Sequence, residues 1–154
     1  MSDNFNARDA NSVIITKSAK DMGSGVLADR VVPPDSWVQT HAPAKATQAT
    51  KSQAAGAAGV KNYCTWLVIT LCQNSTGSVQ TLLAFNLRDG ATGAGTILAT
   101  FTLSLPATAG ESRVLALSGL NIQGSAATAM TLESAGATAA ETAASVSFGG
   151  YTAT

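Results

Sequence analysis

One histidine, two cysteines and nine carboxylates are the groups with which this 154-residue chain could do chemistry. Nucleophilic catalysis of the Ser-His-Asp type needs an imidazole held by packed neighbours. His41 instead lies in a polar stretch beside Pro43, which reads as a solvated or interface position. Ser24 stands between Gly23 and Gly25, whereas a nucleophile elbow needs glycines two residues away on either side, so a turn accounts for it. Asp89, Glu111, Glu133 and Glu141 fall in or near expected turns and strand ends, as solvated loop charges do. The expectation is therefore no catalytic residue and no enzyme.

Metal and cofactor chemistry finds little support. One histidine and two cysteines cannot supply a zinc site without carboxylates, and no Asp-rich calcium loop is present. Cys64 and Cys72 on one straight strand stand about 26 Å apart, too far for a disulfide. Their equal parity places both on one face with Trp66 and Val68, as buried free thiols, with intersubunit bonds as the alternative. Gly90-Ala91-Thr92-Gly93-Ala94-Gly95 superficially suggests a phosphate-cradling loop, but it lacks the Lys-Ser/Thr ending and reads as a hairpin loop. Trp37, near Pro34, has two destinations: a partner's pocket, or its own domain.

The elements that must carry these residues are built from unusual material. Only 12% of the side chains are charged, the formal net charge is zero, and 5% are aromatic. Much of the 45% apolar content is alanine, so the core is expected to be thin. A neutral chain lacks the basic excess of nucleic-acid binders. No uninterrupted apolar run is long enough for a membrane-spanning helix. Met1 to Asp9 is polar, without a basic region followed by an apolar stretch, so no secretory signal is expected and synthesis is expected in the cytoplasm.

Eleven of the eighteen charged side chains lie in residues 1–60, together with three of the four prolines. Thr40 to Gly59 holds no long apolar side chain and cannot offset its ordering entropy by burial. Residues 1–60 are therefore expected to be an extended N-terminal arm, with short strands over Ser12–Lys17 and Gly25–Val32 and a linker over His41–Gly59.

From Lys61 onward apolar residues alternate with a period of two, as in half-buried strands. Leu83, Phe85 and Leu87 share one face of Val79–Arg88, and Ala99, Phe101 and Leu103 share one face of Thr96–Leu105. Tyr63–Gln73, Ser112–Ser118, Thr128–Ser134 and Ala143–Phe148 complete six strands, separated by turns that include Gly119–Gly124. Six strands between Gly-rich turns predict an all-β domain over 61–154, an antiparallel jelly-roll-like β-sandwich. Six strands alone leave edges, which arm strands or a neighbouring subunit would cover.

Two segments resemble small capsid decoration, or cement, proteins of tailed bacteriophages. One is Asn6-Ala7-Arg8-Asp9, then Val13-Ile14-Ile15-Thr16, then Lys20-Asp21-Met22-Gly23-Ser24-Gly25-Val26-Leu27, closing with Arg30. The other runs from Asn74-Ser75-Thr76 through Leu87-Arg88-Asp89-Gly90, Leu105-Pro106-Ala107 and Gly119-Leu120-Asn121-Ile122-Gln123-Gly124 to Val146-Ser147-Phe148-Gly149-Gly150-Tyr151. The His41–Gly59 tract departs from that layout. The resemblance implies a structural virion protein on a capsid surface, a homotrimer without cofactor, whose arms contact the major coat protein. Arg8, Asp9, Lys20, Asp21, Arg30 and Trp37 would be the arm residues that meet the partner. A carbohydrate- or receptor-binding module of a fibre or adhesin is the alternative, with Tyr63, Trp66, Tyr151 and Trp37 as the available aromatics.

Overall fold

A computed structural model of the chain describes residues 6–8, 14–16, 36–73, 82–106, 108–136, 138 and 142–154. It separates into two compact units, Met1–Val32 and Pro33–Thr154. In the first, β1 (Asn6–Arg8) and β2 (Ile14–Thr16) pair antiparallel with Ala7 opposite Ile15. β2 falls inside the expected strand Ser12–Lys17, whereas Gly25–Val32 lies outside the described residues.

The second unit holds β3 (Ser36–His41), β4 (Thr50–Gln53), β5 (Lys61–Gln73), β6 (Leu82–Asp89), β7 (Thr96–Ser104), β8 (Ser112–Ala126), β9 (Met130–Ser134) and β10 (Thr142–Ala153). Sheet I has the order β3-β10-β5-β8 and sheet II the order β4-β9-β6-β7, with antiparallel neighbours throughout. The pairs 6–7, 5–8, 4–9 and 3–10 are nested. The chain is thus folded back on itself once and rolled into two sheets, which is the eight-stranded jelly roll.

Alternation builds the core between the sheets. Leu67, Ile69 and Leu71 of β5 and Val146 and Phe148 of β10 face Phe85 and Leu87 of β6 and Met130 and Leu132 of β9, all fully buried. Cross-strand partners sit on the same face, Phe85 opposite Phe101 and Leu83 opposite Leu103. Of the inward residues of the outer strands β7 and β8, Leu103 is buried, whereas others, Phe101, Leu115 and Leu117 among them, are half buried.

Three expectations require correction. The sandwich takes in strands before residue 61, because β3, from Ser36, and β4 are its seventh and eighth strands. β4 lies inside the expected linker His41–Gly59 and is held by polar contacts in place of apolar burial. It pairs with β9, Ser52 and Thr131 share a hydroxyl hydrogen bond of 2.6 Å, and Gln48 donates to the Ser134 carbonyl at 2.7 Å. Gln39 of β3 donates to Gln53 of β4 at 2.9 Å, tying the two sheets at that flank. Finally, β8 runs straight through the expected turn Gly119–Gly124. Gly119 adopts φ 71°, the register of β5 against β8 shifts there, and Leu120 and Ile122 then resume packing on the core.

Candidate interaction surface

The outer face of sheet I is shaped by two irregularities in β5. Thr65 is passed over between Cys64 and Trp66, where β10 steps from Gly150 to Gly149, and the register against β8 shifts again between Lys61 and Tyr63. An extra residue reverses the side-chain parity of everything beyond it. Cys64 is therefore buried with Leu67, Ile69 and Leu71, whereas Trp66, Val68, Thr70 and Cys72 point the other way, half buried on the outer face. The expectation that both cysteines share a face with Trp66 is overturned by this bulge; neither forms a disulfide. Burial pushes the Cys64 thiol up from 9.0 to about 11.

The same bulges collect aromatics. Tyr63 and Tyr151 are cross-strand partners whose rings stack at 4.8 Å with 5° between their planes. One step along, Trp66 is opposite Gly149 and its indole fills the space over that glycine. Gly150 lies so close to the Tyr63 carbonyl that no side chain fits there. Val38 on β3 and Val114 on β8, each 63% exposed, stand at the two margins of the face. Between them, besides the aromatics, Gly149, Val68 and Cys72, the outward positions are serines, threonines, alanines, Asn121 and Gln123, and Thr40 donates a hydrogen bond to Ser147 at 3.2 Å. Lys61, at the extreme start of β5, is the one charge on this face among the described residues.

Sheet II presents different chemistry. The Glu133 carboxylate, 2% exposed, pairs with the Arg88 guanidinium and accepts the Gly93 N–H at 2.8 Å. Thr92 shares a hydrogen bond of 2.8 Å with Thr50, so the 90–95 loop is laid across β9 toward β4. At the adjoining end both Asp89 oxygens accept the Ser125 N–H, at 2.9 and 3.0 Å, joining β6 to β8. These carboxylates, expected to be solvated loop charges, are structural ties. His41 likewise accepts the Thr50 N–H at 3.2 Å through Nδ1. Among the described residues no group of three or more His, Cys, Asp or Glu is placed to hold a metal ion.

The residues expected to bind a partner are not brought together by the described part of the chain. Arg8 lies in β1, and Asp9, Lys20, Asp21 and Arg30 fall outside the described residues. Trp37 is in the core of its own domain, edge-on to Phe148 at 5.2 Å and 75°, so it is not an anchor for a partner. Its inward parity on β3, next to outward Val38, puts it there. The outer-face cluster was missed because the aromatics lie far apart in sequence and meet only through the β5–β10 register.

No protein-family description matches the chain, and no curated protein matches it. Two solved structures share coarse likeness with it. The structure of infectious bursal disease virus Gx strain is 14% identical with a TM-score of 0.33, over 88% of this chain and 36% of that one. The chain thus spans about a third of that protein's length. The tobacco streak virus coat protein is 7% identical with a TM-score of 0.28, over 80% of this chain and 92% of that one.

Proposed function

We propose that this chain is a non-enzymatic structural protein of a virion, decorating and stabilising a phage capsid as a homotrimer bound to the major coat protein. The observation that carries this reading is the outer face of sheet I, a broad sheet surface with aromatics, exposed valines and almost no charge. Depletion of charge with enrichment of aromatics is the composition of interface cores. The carboxylates on the other sheet are consumed in internal ties, which leaves assembly as the function that the surface serves. Residues before Pro33 remain the segment proposed to reach the coat protein, through Arg8, Asp9, Lys20, Asp21 and Arg30. Co-sedimentation of the full chain with undecorated capsid shells is the test, and Arg8→Glu with Lys20→Glu and Arg30→Glu is expected to abolish it.

A second reading, a carbohydrate-binding module, is favoured by the grouping of Tyr63, Trp66 and Tyr151. Aromatic faces bind sugar rings, and jelly rolls host such sites. Binding on a glycan array, lost in Trp66→Ala, would support it over decoration.

A further inference from the structure

We propose that the outer face of sheet I is the surface on which copies of this chain pack against one another. The number of copies rests on the homotrimer of the proposed function; the choice of surface does not.

Size is the first argument. Four strands about 4.8 Å apart over some 40 Å of strand give roughly 800 Å², what each partner contributes to a standard interface. Charge is the second. A face whose sole charge among the described residues is Lys61 at its end meets its own copy without like-charge repulsion, and the whole chain is formally neutral. A differently charged partner would find nothing here to steer it.

The polar groups are the third argument. Apart from Asn121, Gln123 and the two tyrosines, they are mainly serine and threonine hydroxyls, which donate and accept alike and so can pair with their own kind. Thr40 and Ser147 already do so within one copy. A sugar site, in contrast, needs a concave pocket with a few convergent, directional polar groups. This face is an open sheet surface without a carboxylate among the described residues. Tyr63 and Tyr151 also cover one face of each other's rings. Val38 and Val114, at opposite margins, are the apolar side chains left most open, and packing of a second copy would remove both from water.

The experiment is sedimentation equilibrium on the full chain and on Val38→Lys/Val114→Lys, with Leu82→Lys on sheet II, 59% exposed, as the control. The wild type is expected to associate at micromolar concentration. The double lysine variant is expected to raise the dissociation constant at least tenfold, and the control to leave it unchanged. Circular dichroism checks the fold; should the lysines unfold the chain, Val38→Ser/Val114→Ser carries the same test. A wild type that stays monomeric, or association indifferent to both double variants, overturns the proposal. A monomer that binds glycans through Trp66 overturns it in favour of a sugar platform. Association of two copies that the lysines dissolve supports the surface and overturns only the trimer. A wild type that self-associates but does not co-sediment with undecorated capsid shells would sink the decoration reading alone.

Discussion

The indole of Trp66 occupies the space where a side chain on Gly149 would be: a Cβ there would come within 2.6 Å of Nε1 and Cε2. A tryptophan on an outer sheet face is thereby given a fixed seat, and its exposed side is presented to whatever packs on the sheet. Gly149→Ala must displace the ring or bend β10. The expected cost is about 1–3 kcal/mol, the range for overpacking. Tryptophan emission in a Trp37→Phe background should shift to the red, and chemical denaturation gives the stability change.

Trp37 packs edge-on against Phe148 and is 9% exposed, so it acts through the core. Trp37→Ala is expected to lose about 3–5 kcal/mol of stability, as for other buried large-to-small changes. Trp37→Phe should cost clearly less, because the buried indole N–H has no hydrogen-bond partner and its removal is no loss. Equal losses in the two variants, measured by urea denaturation, would contradict this account.

Glu133 is central to the polar lattice on sheet II. Glu133→Ala strands the Arg88 guanidinium and frees the Gly93 N–H, with an expected cost of about 3–5 kcal/mol. Hydrogen exchange should rise in the 90–95 loop first. If exchange there is unchanged, the carboxylate does not hold the loop.

The two thiols should behave differently. Cys64 is fully buried, whereas Cys72 lies half buried on the outer face, so a thiol reagent should modify Cys72 first and reach Cys64 only on unfolding. Because the folded Cys64 thiol ionises at about 11 and the unfolded one near 9.0, its contribution is complete below pH 9. It is lost as the pH rises from there to 11. The extra alkaline loss of stability, relative to Cys64→Ala, reads this out.

Period-two alternation made β6 and β7 legible: their inward-facing leucines and phenylalanines show in the sequence, and a jelly roll follows from strand number and edges. β4 was illegible because Thr50–Gln53 contains no long apolar residue; its place depends on hydroxyl and amide contacts with residues some eighty positions away. Cys64 and Cys72 were misassigned for a different reason. Alternation counts positions, and the bulge between Cys64 and Trp66 inserts one that no residue type announces. Trp37 had the same composition and neighbours for either destination, and only the pairing of β3 with β10 decides between them.

The position of β10 inside sheet I has a consequence for biosynthesis. It pairs on one side with β3 and on the other with β5, so two strands made early wait for one made more than a hundred residues after the first of them. Until residues 142–153 leave the ribosome, the inward faces of β3 and β5 have no strand between them. Such distant pairings close slowly. The low charge and alanine-rich composition of the chain leave that waiting period with little electrostatic protection against self-association. Yield in cells should therefore respond to translation rate and chaperone supply more strongly than the stability of the finished sandwich would suggest.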